Sequence, residues 1–309
     1  MFFICPCVSV SWWYNKFMKI GIIQQKCSSN RSESIAASEA GIRKAASKGS
    51  KLAILPELHA SQYFCQTENP DFFDLAETIP GPSTEYFGKL ARKLKIVLVI
   101  SLFEKRAPGL YHNTAVVIEK TGRIAGKYRK MHIPDDPGYY EKYYFAPGDL
   151  GFNPIETSVG KLGVMVCWDQ WYPEAARLMA LAGADMLIYP TAIGWDPSVD
   201  KEEQQRQIDS WVMIQRSHAI ANGIPVISVN RVGFEPSPSG KKGQGIKFWG
   251  NSFIAGQQGE MLAAAGTEEE EVIVTDVDLG RTEKVRRNWP FLRDRRIDCF
   301  SDLCRRFRK

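Results

Sequence analysis

The chain has 309 residues, 44% of them apolar and 24% charged, with 40 lysines and arginines against 35 aspartates and glutamates for a net charge of +5. These are the fractions of a globular protein with a large core, as one large domain or two fused halves. Much of the basic excess lies in 284–309, so the charge is no nucleic-acid footprint. Seven scattered cysteines, an odd number without Cys-x-x-Cys spacing, argue against a disulfide framework and against a zinc site.

The opening 1–17 is apolar and aromatic, but it lacks a basic start and a small-residue cleavage site, and Pro6 interrupts it. It is also shorter than the roughly 20 apolar residues of a membrane span. Residues 1–18 are therefore expected to be a leader outside the fold, with Met18 a candidate start, residues 19–298 the folded domain, and 299–309 a basic tail. The cysteine usage fits a reducing, cytoplasmic setting. The four histidines, His59, His112, His132 and His218, stand apart from one another and suggest no metal site.

From Lys19 the pattern reads strand (19–24), helix (31–48), strand (52–55) closed by Pro56, helix (83–94) and strands over 96–103 and 111–119, with a turn at Thr121-Gly122 leading to Ile124–Tyr128. Residues 127–151 are basic and then rich in Pro, Gly and Tyr without a period, which marks an ordered functional loop. An apolar strand at 162–166 follows, then a helix over 173–182 with Pro173 in its first turn and Glu174 favourable to its dipole. A strand at 185–189, a long helix over 201–222, and strands at 225–230, 248–255 and 271–278 complete the pattern. Alternating strands and helices predict an α/β layered fold, with no internal repeat evident from spacing. The glycine-rich 240–245 lacks the strand-to-helix context of a phosphate loop.

Glu57, Lys130 and Cys167 each fall at or just beyond the end of a predicted strand, and in α/β sheets those ends gather at one ligand-binding rim. Taken singly, Cys167 reads as a small buried hydrophobe and the other two as surface charges. Together they make chemical sense. The ammonium favours a thiolate and can stabilise an oxyanion, while the carboxylate can take the thiol proton and return it to a leaving amine.

Three blocks, Leu55-Pro-Glu-Leu, Tyr128-Arg-Lys-Met-His-Ile-Pro and Val166-Cys-Trp-Asp-Gln-Trp-Tyr-Pro-Glu, resemble the nitrilase (carbon-nitrogen hydrolase) superfamily in order and context, over nearly all of 19–298. The resemblance implies a four-layer αββα sandwich, no metal or organic cofactor, and a homo-oligomer of at least two subunits. It makes Cys167 the nucleophile, Glu57 the general base and acid, and Lys130 the oxyanion stabiliser, helped by the Trp168 backbone N–H. Glu141, in Tyr139-Tyr-Glu-Lys-Tyr, matches a second family glutamate that positions substrate and lysine.

The stretch 135–149, the Cys-Trp-Asp-Gln-Trp-Tyr-Pro block and Thr191-Ala-Ile-Gly-Trp-Asp196 resemble the branch that hydrolyses N-carbamoylputrescine, with the β-ureidopropionases as neighbours. The implied partner is a small molecule with a terminal ureido or amide group. An ammonium at its far end would need acidic or aromatic groups, for which Tyr139, Asp169, Trp195 and Asp196 are the candidates, with Asp135, Asp136 and Tyr140 beside them. Asn113 and His132 read as structural hydrogen-bonders, and Arg231 as a brace of either the site or an interface. The rivals are an amidase for a 3-ureido acid or an ω-amide and, from another class, a catalytically silent oligomeric protein, against which the intact triad speaks.

Overall fold

The computed structural model describes residues 17–240 and 243–308. Its first sheet holds β1 (Phe17–Gln24), β2 (Leu52–Ile54), β3 (Val97–Ala107), β4 (Leu110–Ile118), β5 (Ile124–Arg129) and, from the far end of the chain, β15 (Glu271–Asp278), in the order β15-β1-β2-β3-β4-β5. The second holds β6 (Ile155–Thr157), β7 (Gly160–Val164), β8 (Met186–Thr191), β10 (Val226–Asn230), β13 (Phe253–Ala255) and β14 (Met261–Ala264), in the order β14-β13-β10-β8-β7-β6. A small third sheet joins β9 (Gly194–Trp195), β11 (Val232–Pro236) and β12 (Gly245–Trp249).

Each large sheet has three central parallel strands, β1, β2, β3 in one and β7, β8, β10 in the other, flanked by antiparallel partners. Helices α1 (Arg31–Ser47) and α2 (Pro82–Leu94) make the crossovers of the first sheet, and α4 (Pro173–Leu181) and α5 (Lys201–Asn222) those of the second. The two halves thus repeat one topology. Spacing did not reveal it, because the short helix α3 (Glu141–Tyr144) with its loop and the third sheet are inserted at unequal places.

The parallel strands are buried on both faces, and period-two alternation splits their side chains between two cores. Ile20, Ile22, Leu52, Ile54, Val97 and Val99 face the second sheet. Ile23, Ala53, Leu98 and Ile100 face outward and are covered by Ile42 of α1 and Phe87 and Leu90 of α2. Met179 of α4 and Trp211 of α5 pack on the second sheet. The result is the helix–sheet–sheet–helix sandwich. Each such apolar side chain buried contributes about 1.5–3 kcal/mol.

Local chemistry sets the helix ends. The Asn30 side chain accepts from the Ser32 amide at 2.9 Å to start α1, and Asp200 accepts from Glu203 N at 2.9 Å to start α5. Gly223, with φ +61°, ends α5 in a left-handed cap.

Several expectations are corrected. β1 begins at Phe17 and Met18 is buried in the core, so these two residues belong to the fold; the rest of the expected leader, 1–16, lies outside the described residues. The single strand expected over 248–255 is two strands in different sheets, because Gly250 and Asn251 both take φ +54° and turn the chain from the third sheet into the second. The stretch 127–151 contains the end of β5 and all of α3, and a further helix, α6 (Arg281–Asn288), opens the basic C-terminal stretch. Among the described residues no helix is long and apolar enough to cross a membrane.

Candidate active site

Glu57 follows β2 at the sheet rim and is wholly buried, its amide donating across to Thr191 O of β8 at 3.3 Å. The Arg231 guanidinium, itself buried and paired with Glu235 at 2.8 Å, donates to the carbonyls of Glu57 (2.7 Å) and Leu58 (3.0 Å), which fixes the turn in which Leu58 takes φ +48°. Arg231 is therefore a brace of the site. Lys130 leaves the end of β5 with its backbone amide on Asn113 O (2.9 Å), and its Nζ donates to Glu57 Oε1 at 2.9 Å and Glu141 Oε2 at 2.7 Å. Glu141, the first residue of α3, also accepts from Tyr63 OH at 2.6 Å.

One buried cation thus stands between two buried carboxylates. Burial alone would push the Lys130 pKa down, but Glu141 and Glu57 outweigh it and hold the ammonium well above its ordinary value. Burial raises the Glu141 carboxyl to about 7 against the pull of Lys130. One oxygen of this cluster stands apart: Glu57 Oε2 is buried and has no hydrogen-bond partner among the described residues.

Cys167 comes three residues after β7, at the first position of a 3-10 turn (Cys167–Trp171), with φ +43°. A non-glycine residue held in the left-handed region marks a backbone forced by its surroundings, and such residues cluster at functional sites. The Trp168 amide sits in the first turn, where N–H groups have no acceptor inside a helix. Burial and the Glu57 charge push the thiol well above its ordinary pKa despite Lys130. Lys130 pulls the thiol down, as expected, but burial and then the carboxylates outweigh it.

Cys167 and Glu141 line a cavity of about 560 Å³. Trp168, Trp171, Trp249 and Tyr139 supply aromatic wall, and Asp136, Asp196, Glu203 and Arg206 supply charge. Asp196 and the first turns of α5 form the outer end, where Arg206 is held by Glu202 (3.0 Å) and Glu203 (3.1 Å).

The sequence model of the carbon-nitrogen hydrolase family matches residues 19–287. This chain belongs to that family. It is 42% identical to an N-carbamoylputrescine amidase of Solanum lycopersicum, over 94% of this chain and 95% of that one, and 38% identical to a citrullinase of Francisella tularensis, over 94% and 99%. A crystal structure of a carbon-nitrogen hydrolase from Helicobacter pylori G27 superposes with a TM-score of 0.92 at 56% identity, covering 94% of this chain and all of that one. The chain is accordingly an amidohydrolase with the nitrilase sandwich.

Within this hydrolase the structure brings Glu57, Lys130, Glu141 and Cys167 together, and places Tyr139 and Asp196 on the cavity wall. Tyr139 OH donates to Gly194 O and accepts from Gly194 N, both at 3.0 Å, tying the 131–140 segment to β9. Asp169 is not where a substrate ligand would be. It is buried, accepting from Val166 N, Tyr128 OH, and the backbone and ring of His132 at 2.7–3.1 Å, and so straps the Cys167 turn to the segment after Lys130. Trp195 is also outside the wall, packed on Trp249 with its Nε1 donating to Gln204 O at 3.2 Å. Asp135 and Tyr140 do not line the cavity, whereas Asp136 does. Glu203, Arg206, Trp171 and Trp249 escaped sequence reasoning, although α5 starts so soon after Asp196 that its first turns had to pass the rim.

The Lys130 backbone has a tight neighbour. Gly148 N donates to Lys130 O at 2.8 Å, and a Cβ on Gly148 would sit 2.0 Å from Arg129 O. Gly148→Ala should therefore displace the Lys130 segment, lowering stability by about 1–3 kcal/mol and kcat with it. Thermal unfolding and steady-state rates on the variant check this; an unchanged kcat would show that the segment yields elsewhere.

Proposed function

We propose that the protein hydrolyses N-carbamoylputrescine to putrescine, ammonia and carbon dioxide through a cysteine thiocarbamate. Cys167 Sγ attacks the carbamoyl carbon while its proton passes to Glu57, whose free Oε2 is the only buried carboxylate oxygen of the cluster without a donor. The carbonyl oxygen takes the negative charge, stabilised by Lys130 and the Trp168 amide. The C–N bond to the terminal amino group breaks, and Glu57 returns its proton to the departing ammonia. Water, deprotonated by Glu57, then attacks the thiocarbamate carbon; the C–S bond breaks and the thiol recovers a proton. The carbamic acid loses carbon dioxide to free the amine. The reaction uses no metal or organic cofactor in this reading, and the working enzyme is a homo-oligomer.

The carboxylates at the outer end of the cavity carry the choice of substrate. Asp136, Asp196 and Glu203 favour an ammonium, and the tryptophans offer apolar and cation–π surface for a four-carbon chain. Arg206 favours a second substrate with an α-amino acid end, of the citrulline kind, because its guanidinium is the group that would hold a carboxylate. Ammonia release from N-carbamoylputrescine, citrulline, 3-ureidopropionate and a plain ω-amide, with Cys167→Ala as the blank, tests this. Preference for either acid or for the amide would overturn the amine assignment. Glu203→Gln should lower kcat/KM for N-carbamoylputrescine about 10- to 100-fold, the 1.5–3 kcal/mol of one charged contact, and leave 3-ureidopropionate turnover no worse.

A further inference from the structure

We propose that Asn113 is a positioning residue for the general base: it occupies Glu57 Oε1 together with Lys130 and so leaves Oε2 as the oxygen that takes the Cys167 proton. The inference rests on the reading of Glu57 as base. Asn113 lies in β4 and is wholly buried, next to the strand that delivers Lys130. Its Nδ2 donates to Glu57 Oε1 at 2.6 Å, where Lys130 Nζ also donates at 2.9 Å. Its main-chain carbonyl accepts from Lys130 N at 2.9 Å, so one residue holds the lysine through its backbone and the glutamate through its side chain.

Two donors converging on one carboxylate oxygen fix the torsion of the carboxylate, since rotation that exchanged the oxygens would break both bonds. With Lys130 alone the group keeps a single anchor and can swing about it. The amide is in turn oriented from behind. Ser101 Oγ accepts from Leu58 N at 3.1 Å and makes a longer 3.4 Å contact to Asn113 Oδ1, so the turn after Glu57 and the amide share one hydroxyl. A neutral donor is suited to this place. It holds the carboxylate without adding a second full positive charge, which would lower the proton affinity of Glu57 and weaken it as a base.

The test separates positioning from mere support of the fold. Asn113→Ala and the nearly isosteric Asn113→Leu are compared with wild type for kcat, for KM, and for the rate at which iodoacetamide alkylates Cys167, read by mass analysis of its peptide. Alkylation forms the S–C bond, expels iodide and hands the thiol proton to the base, so it reports the base without substrate. Both rates should fall about 10- to 100-fold in step, with KM within about two-fold and cooperative unfolding retained. Leucine fills the volume of asparagine, so it carries the test if the alanine variant does not fold. Wild-type alkylation in a folded Asn113 variant would overturn the proposal. Glu57→Gln is the control: slow alkylation there with wild-type rates at Asn113 sinks only the positioning role, whereas wild-type alkylation in Glu57→Gln sinks the base itself.

Discussion

Cys167→Ser is expected to lower kcat/KM about 10⁴- to 10⁶-fold, the range seen when the nucleophile of a hydrolytic triad is lost, while leaving the fold intact. The two effects separate because the group has two roles of unequal weight. Structurally it is a small side chain at a strained turn, where Sγ makes only a 3.9 Å contact to Ala192 O, and a hydroxyl fits the same space. Chemically the change is severe. Burial first, and then the charge of Glu57 and Glu141, already pushes the thiol upward, and a hydroxyl is far harder to ionise. Steady-state ammonia release and thermal unfolding, measured on one preparation, decide it. A folded serine variant within about 100-fold of wild type would mean that Cys167 is not the nucleophile.

Much of the fold and site was legible because local and global signals agree there. Helix α5 follows from its Asp200 start and its Asn222-Gly223 end, and the gathering of Glu57, Lys130 and Cys167 from polar residues that interrupt apolar runs at strand ends. Where legibility failed, the missing information was directional. Asp169 sits two residues after Cys167 in a block that looks like a ligand set, but a 3-10 turn advances by a third of a circle per residue, so the two side chains leave in different directions and Asp169 enters the fold. Asn113 shows the converse. As one of three successive polar residues, His112-Asn113-Thr114, at the head of an apolar run it looks structural, and only the register of β4 with β5, which puts Thr114 opposite Arg129, places it beside Lys130 and Glu57. The break at Gly250-Asn251 did have a local signal, since both residues tolerate the left-handed region, but the apolar stretches on either side read as one strand.

Lys130→Met should abolish turnover and, unlike the cysteine change, destabilise the protein by about 3–5 kcal/mol at neutral pH. Methionine is close in length and fills the space, so the loss is electrostatic: Glu57 Oε1 and Glu141 Oε2 both lose their 2.7–2.9 Å partner inside the core. The deficit has a predictable pH dependence. Burial already raises the Glu141 carboxyl to about 7 with the lysine present, and removing the lysine raises it further. An acid whose folded pKa lies above its unfolded value of about 4.3 binds a proton in the folded state that the unfolded chain has given up, so stability falls as pH rises through that window. The variant should therefore lie nearest to wild type at about pH 5 and fall further behind toward pH 8, because in wild type the charged Lys130 offsets the same carboxylates. Urea unfolding of both proteins at the two pH values measures the difference. Equal deficits at both would show that the buried carboxylates do not rely on the lysine for charge compensation, and with that the oxyanion role assigned to Lys130 would lose its electrostatic basis.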